Sequence, residues 1–177
     1  MRKFLDMQYS RFRSPVGDIH LLASPQGLAG VYFPSQAESI ESRLAPKGRQ
    51  RGHGNIFLLQ AEAFLACYFD GDLHYSSNVE LDLRGTPFQV DVWRTLIAIP
   101  PGQRTTYLDL ANRLGRPEAV RAVAGAVARN PVSILIPCHR VVGSDGSLTG
   151  YAGGLLIKQQ LLDHESRCAY ALEAPAA

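Results

Sequence analysis

The chain has 177 residues, of which 46% are hydrophobic and 19% are charged, and its formal net charge is +2. This composition excludes a disordered or fibrous protein, and the length suffices for one good core or two small ones. There is no apolar run as long as a membrane span, no secretory signal at the start, and an odd number of cysteines, three. We therefore expect a cytoplasmic protein with no disulfide framework and no membrane partner.

The first third of the sequence has the alternation and the turn residues of a small β-meander. It predicts three antiparallel strands, over residues 8–13, 18–23 and 28–33. An amphipathic helix over residues 56–68 should cover one face of this sheet, with Cys67 on the same apolar stripe as Ile56 and Leu59. Between sheet and helix, residues 37–44 predict a short helix and residues 49–55 a loop that contains Arg49-Gln50-Arg51.

From Pro87 onward the pattern is helical. A first apolar face ends at Pro100-Pro101-Gly102, and Thr106 with Asp109 has the spacing of a capping box that opens a second helix. Gly115 ends that helix, and Pro117 begins a third at its favoured first position. Helix, glycine turn and helix predict a helix-turn-helix. The expected fold class is α/β (α+β): a small antiparallel sheet with a covering helix, then a mostly helical domain.

The third helix has an unusual exposed side. A rotation of about 100° per residue turns a set of arginines and very small residues away from the core, namely Arg121, Ala122, Gly125, Ala126 and Arg129. Small side chains allow close approach to a narrow groove, whereas a regulator would present long polar side chains to the wide groove. The alternative is an alanine-rich surface selected for helix propensity.

Arginine is also concentrated in this part of the chain. Six arginines oppose only two acidic residues between positions 104 and 140, and these are Arg104, Arg113, Arg116, Arg121, Arg129 and Arg140. Such a patch is suited to phosphate contacts, although a merely solvated surface has the same composition.

A cysteine beside a histidine is the most informative motif. The residues 132–136 predict a buried extended segment, and Pro137 then delivers Cys138 on a rigid, non-helical turn. A neutral imidazole at His139 that accepts the thiol proton, directly or through one water, raises the thiolate fraction near neutral pH. Neighbouring side chains on extended backbone point to opposite sides, which favours the water-mediated route. The alternative is an apolar core cysteine beside a solvated histidine.

Three segments together carry a family resemblance: Pro137-Cys138-His139-Arg140, the helix that bears Arg121, and Gly150-Tyr151-Ala152-Gly153-Gly154. They closely resemble the O6-alkylguanine-DNA alkyltransferases, also called methylated-DNA–protein-cysteine methyltransferases. The match is dense from about Thr86 to Glu165 and weaker before it. The resemblance implies a ribonuclease-H-like α/β domain over residues 1–85, and a helix-turn-helix DNA-binding and alkyl-acceptor domain over residues 86–177.

The resemblance implies irreversible transfer of an alkyl group from guanine O6 in DNA to the protein's own cysteine, without a cofactor. Cys138 corresponds to the alkyl acceptor, His139 to the base that acts on it through water, and Glu165 to the carboxylate that orients the imidazole. Asn130 corresponds to an asparagine that ties the helix-turn-helix to the cysteine loop. No C-x-x-C or H-E-x-x-H pattern is present, so no metal site is expected.

The resemblance also implies how DNA is held. Arg121 corresponds to the arginine that enters the base stack in place of the extruded nucleotide, and Tyr107 to the tyrosine that helps to rotate the phosphate and can hydrogen-bond guanine N3. The substrate pocket is implied to include Val141, Tyr151, Ala152 and Gly153. Many relatives have asparagine and serine where this chain has Gly150 and Ala152, so side-chain hydrogen bonds from those two positions are lost.

The expected partner is duplex DNA that contains O6-alkylguanine, bound by a monomer through the minor groove with little sequence preference. The range of alkyl groups and the repair of O4-alkylthymine stay open. Three alternatives stay open as well. A cysteine hydrolase would turn over, a non-catalytic damage-binding module would lack the acceptor cysteine, and a helix-turn-helix regulator would normally act as a symmetric dimer.

Overall fold

The computed structural model describes residues 7–36, 54–73 and 78–173. These residues fall into two compact units that divide between Leu83 and Arg84. The short helix expected over residues 37–44, and residues 49–53 of the expected loop, lie outside the described residues. Within the described part of the chain, every helix is too short or too polar to cross a bilayer.

The first unit is built on a three-stranded antiparallel sheet. The strands follow one another in chain order, as β1 (Gln8–Ser14), β2 (Gly17–Ser24) and β3 (Gly27–Tyr32). The chain returns to the edge of β3, where the Leu28 amide donates to Glu80 O at 2.8 Å. A Cβ at Gly27 would lie 2.6 Å from that same carbonyl oxygen, so glycine is required there. The mixed α/β fold class and the meander are confirmed.

Helix α1 (Ile56–Asp70) packs on all three strands of the sheet. It begins at Asn55, whose side chain accepts hydrogen bonds from the first-turn amides of Phe57 and Leu58. Its buried residues are Leu58, Ala61, Leu65 and Tyr68. The predicted stripe was wrong, because Ile56 is 56% exposed and Leu59 50% exposed. Apolar residues lie almost all round this helix, so periodicity does not identify the face that meets the sheet.

The second unit is mostly helical. Its helices are α2 (Pro87–Ile97), α3 (Tyr107–Arg113), α4 (Val120–Ala128) and α5 (Leu155–Glu173). Two short strands, β4 (Thr105–Thr106) and β5 (Val141–Val142), pair in parallel. The predicted capping box is confirmed: the Thr106 side chain accepts from the Asp109 amide at 3.1 Å, and Asp109 accepts from the Thr106 amide at 3.0 Å. Pro117 opens a 3₁₀ turn, and the α-helical part begins only at Val120.

Trp93 fixes α4 against α2. It is 2% exposed, and its indole Nε1–H donates to Ala126 O at 2.9 Å. Ala126 is also only 2% exposed, so its predicted place on the exposed face of the helix was wrong. The large indole covers Ala126, so the buried face of α4 includes Ala126 as well as Val123 and Val127.

Replacing Trp93 by phenylalanine should destabilise the protein. The variant loses the hydrogen bond to Ala126 O and leaves a cavity between α2 and α4, which together cost about 2 kcal/mol of unfolding free energy. Urea denaturation measures this loss. Ile97→Ala is the control, because Ile97 lies on the same helix but is half exposed. Equal losses in the two variants would contradict the anchoring role of Trp93.

Candidate active site

A tight turn precedes the cysteine. Ile134 has a φ of 71°, which is rare for a β-branched residue, and it is buried. The Ile136 amide donates to Val132 O at 3.0 Å across this turn. The predicted extended segment over residues 132–136 is therefore wrong in its centre. Sequence propensity favoured a strand, but the asparagine that caps the turn overrides that preference.

Asn130 is that asparagine, and it makes three hydrogen bonds. Its Oδ1 accepts from the Val132 amide at 3.0 Å, while its Nδ2 donates to Ile136 O at 2.7 Å and lies 3.0 Å from Cys138 Sγ. The side chain is buried next to the end of α4. It therefore closes the loop that carries the cysteine onto the helix that precedes it.

Cys138 begins a single 3₁₀ turn, Cys138–Arg140, rather than lying on extended backbone. It is 6% exposed, and burial raises the pKa of its thiol to about 11, although the Asn130 amide, the charge of Lys158 and its own backbone amide act in the opposite direction. The expected thiolate near neutral pH is wrong for the protein without DNA. The resting sulfur is a thiol, and its proton must be removed when the reaction begins.

Glu165 lies at the centre of a buried polar network. Its side chain, wholly buried, accepts from His139 Nε2 at 2.7 Å and from the Gly102 amide at 3.0 Å. Arg140 binds it with two nitrogens, Nε at 3.0–3.1 Å and Nη2 at 2.8 Å. Burial alone would raise the pKa of Glu165, but the hydrogen bonds and charges of these partners outweigh it and hold the pKa far below its usual range.

Arg140 is therefore not a phosphate-binding residue. Its guanidinium is buried against Glu165, and Nη1 also donates to the Ile99 carbonyl. The assignment of Arg140 to the basic patch was therefore wrong. Arginine composition along a sequence carries no information on burial, and a partner carboxylate 25 residues away cannot be identified from charge patterning alone.

His139 is completely buried, and its ring Nε2 lies 2.7 Å from the Glu165 carboxylate. Burial lowers the pKa of His139 even though Glu165 acts to raise it. Burial disfavours a charged imidazole, and the positive charges of Arg140 and Lys158 act in the same direction. The ring is therefore neutral and donates from Nε2. Its Nδ1 is a buried acceptor that has no hydrogen-bond partner within the described residues.

Lys158 is a functional residue that the sequence analysis missed. Although it is a lysine, it is fully buried, and its Nζ donates to Val141 O at 2.6 Å and to Thr149 O at 2.9 Å. Burial lowers the pKa of Lys158, while the neighbouring Cys138 acts to raise it. Its burial could have been predicted from its position in the helix. Lys158 lies three residues before Leu161 and seven before Glu165, on the inward side of α5.

A pocket of about 370 Å³ opens beside the cysteine. Its lining combines Cys138 and Asn130 with Tyr107, Val127, Ala128, Gly150, Tyr151 and Ala152. Ala152 is exposed, whereas the Val141 and Gly153 that were expected in the pocket are buried and do not line it. The carbonyl of Val141 instead accepts from Lys158. The pocket volume suits one nucleobase with a small substituent.

The expected DNA-facing side of α4 is only partly exposed. Arg121, Ala122 and Arg129 are exposed, Gly125 is half-buried and Ala126 is buried. The Arg129 guanidinium folds back along the helix and donates to Gly125 O at 2.7 Å. Arg121 therefore lies on an open surface flanked by small residues, at the start of the helix that ends beside the pocket.

Comparison with known proteins gives concordant matches. A family model described as "6-O-methylguanine DNA methyltransferase, DNA binding domain" matches residues 87–167. The methylated-DNA–protein-cysteine methyltransferase of Methanosarcina acetivorans is 43% identical over 162 residues, 92% of this chain and 100% of that protein. The inducible methylated-DNA–protein-cysteine methyltransferase of Bacillus subtilis is 50% identical over 164 residues, 89% of each chain.

A solved structure is similar over the same extent. The crystal structure of Mycobacterium tuberculosis OGT in complex with DNA has a TM-score of 0.79 and 37% sequence identity, and the match covers 91% of this chain and 94% of that one. The likeness to these proteins extends over nearly the whole of each chain and is not confined to the cysteine motif. This chain belongs to the methylated-DNA–protein-cysteine methyltransferase family.

Proposed function

We propose that this protein repairs O6-alkylguanine in duplex DNA by moving the alkyl group irreversibly to Cys138. The observation that carries the proposal is the position of the thiol. Cys138 lines a pocket large enough for a nucleobase and directly precedes the histidine that Glu165 holds. Nucleophilic attack by sulfur needs a thiol, a neutral base that takes its proton, and a carboxylate that orients the base, and the site provides these three groups in that order.

The proton transfer follows from the tautomer of His139. Because Nε2 donates to Glu165, the lone pair of Nδ1 is free to accept. A water between Nδ1 and the sulfur relays the thiol proton to the imidazole. The imidazolium that forms is stabilised by Glu165, and the thiolate by the Asn130 amide and by the charge of Lys158.

Alkyl transfer is then an in-line displacement. The sulfur forms a bond to the alkyl carbon as the bond from that carbon to O6 breaks, and the electron pair goes to the guanine. Tyr107 or a water supplies the proton that the leaving guanine needs. The thioether product offers water no carbonyl to attack, so the protein acts once.

The O6 atom lies within the duplex, so the nucleotide must leave the base stack before the sulfur can reach it. We propose that Arg121 fills the space that the nucleotide vacates, because this arginine is exposed among small residues that permit close approach to the minor groove. Ala122, Gly125 and Arg129 complete that surface. Ala126 is not part of that surface, because it is buried and its carbonyl accepts from the Trp93 indole.

The remaining assignments are proposals of the same kind. A monomer in the cytoplasm would bind DNA with little sequence preference through residues 86–177, and the ribonuclease-H-like identity of residues 1–85 stays a prediction. Ala152 would recognise the guanine edge through its backbone, and Tyr151 and Ala152 would shape the pocket, which Val141 and Gly153 do not line. A cysteine hydrolase is disfavoured because the Cys138 amide donates to Ile136 O at 2.8 Å and is not free to hold an oxyanion.

Intact-protein mass after incubation with an O6-methylguanine duplex tests the function directly. We expect one methyl group per molecule, located on Cys138, and no second equivalent at any excess of substrate. Cys138→Ala should take up none and still bind the duplex, whereas the control Cys168→Ala should react as the parent does. Product release with repeated turnover, or label on another residue, would overturn the proposal.

The transfer rate should depend on pH through His139. The pKa of His139 lies below its ordinary value of 6.5, so the imidazole is mostly neutral at pH 6.5 and above. The transfer rate therefore falls only in solution more acidic than pH 6.5. Between about pH 7 and 9 the single-turnover rate should be level, because the proton goes to His139 and not to solvent. A rise of about tenfold per unit in that range would mean that free thiolate reacts without the imidazole.

Arg121→Ala should slow repair in duplex DNA by at least about tenfold, since extrusion of the nucleotide costs a few kcal/mol. The reaction with the free modified base should change little, because no nucleotide has to be extruded. Arg94→Ala, which removes an exposed arginine of α2, serves as the control. Equal losses on both substrates would refute the role of Arg121 in extrusion.

A further inference from the structure

Tyr107 is tied to a threonine at the pocket. Its phenolic oxygen lies 2.8 Å from Thr149 Oγ1, and either hydroxyl can be the donor. Tyr107 is the first residue of α3, whereas Thr149 belongs to the stretch between β5 and α5. Both residues are half-buried, and Tyr107 lines the pocket together with Gly150, the residue after Thr149. The contact therefore joins two separate walls of the site.

Thr149 itself is held firmly. Its carbonyl accepts from Lys158 Nζ at 2.9 Å, and the same ammonium holds Val141 O at 2.6 Å. Lys158 is fully buried, so water does not compete for these two bonds. The hydroxyl of Thr149 is thus presented from anchored backbone, and the chain of contacts runs from Lys158 through Thr149 to Tyr107.

The role proposed for the phenol decides which hydroxyl donates in this hydrogen bond during the reaction. A phenol has a single proton to donate, and it can donate to a guanine nitrogen only if that proton is not already engaged. A threonine hydroxyl that donates to the phenolic oxygen leaves the phenol's own proton free. Hydrogen bonds in such a chain polarise one another, so the threonine also strengthens the phenol as a donor.

We propose that Thr149 is a positioning residue for alkyl transfer: its hydroxyl donates to the Tyr107 oxygen and directs the phenol's proton at the flipped guanine. This inference rests on the proposed function of Tyr107 as the group that bonds or protonates the leaving base. Thr149 touches Tyr107 and not the reacting atoms, so its effect passes entirely through the tyrosine.

The matched pair Thr149→Val and Thr149→Ser tests the hydroxyl. Valine keeps the shape of the side chain and removes the donor, so single-turnover methyl transfer from duplex O6-methylguanine should slow about fivefold to tenfold. Serine keeps the donor and should restore most of the rate. The dissociation constant for the duplex and the urea midpoint should be the same in all three proteins. Equal transfer rates for parent and Thr149→Val would overturn the proposal.

Two further measurements separate positioning from a structural role. In a Tyr107→Phe background, Thr149→Val should cause no additional loss, because the group through which it acts has gone. A duplex with 3-deaza-O6-methylguanine, which lacks the N3 acceptor, should likewise be repaired at equal rates by the parent and by Thr149→Val. Additive losses in the double variant, or an undiminished effect on the 3-deaza substrate, would show that Thr149 acts otherwise.

If the parent protein transfers the methyl group to Cys138 and Thr149→Val matches it, the function stands and the positioning role falls. If the parent transfers nothing, the function itself falls, and the positioning role falls with it.

Discussion

The ionised carboxylate of Glu165 is the constraint on which the second unit depends. It lies in a wholly buried position and is bound by an imidazole, a guanidinium and a backbone amide. A buried charge is stable only when it is paired and hydrogen-bonded, so the partners must stay in place. Through them, one residue of α5 holds the 3₁₀ turn of the cysteine and the loop that follows α2 at Gly102.

This arrangement explains how a sulfur that is protonated at rest can still react. Burial keeps His139 neutral, and the charge of Arg140, which is paired with Glu165, acts in the same direction, so the imidazole is able to take a proton. Burial keeps the thiol of Cys138 protonated, and a protonated thiol is protected against unwanted oxidation. Asn130 and Lys158 lower the cost of the thiolate when it forms. The thiol therefore stays unreactive until an alkylated nucleobase is in the pocket, and this suits a protein that can react only once.

Much of this was predictable from the sequence, for local reasons. Turn residues and alternation located the meander, and the Thr106–Asp109 capping box located α3. The acceptor cysteine stood out because proline, cysteine and histidine are adjacent, and the resemblance supplied Glu165. The long-range pairings were not predictable: Arg140 with Glu165, Trp93 with Ala126, and Lys158 with two carbonyls each depend on the packing of distant segments. Propensity also missed the positive φ of Ile134, which lies in the turn that Asn130 caps.

The reaction begins from a His139 imidazole that is neutral at rest, with its proton on Nε2 and its lone pair on Nδ1. Nitrogen-15 NMR of the imidazole in the free protein at neutral pH distinguishes this tautomer from the other states, because protonated and unprotonated ring nitrogens have well-separated shifts. We expect a protonated Nε2 and an unprotonated Nδ1. A proton on Nδ1, in either the other tautomer or an imidazolium, would contradict it.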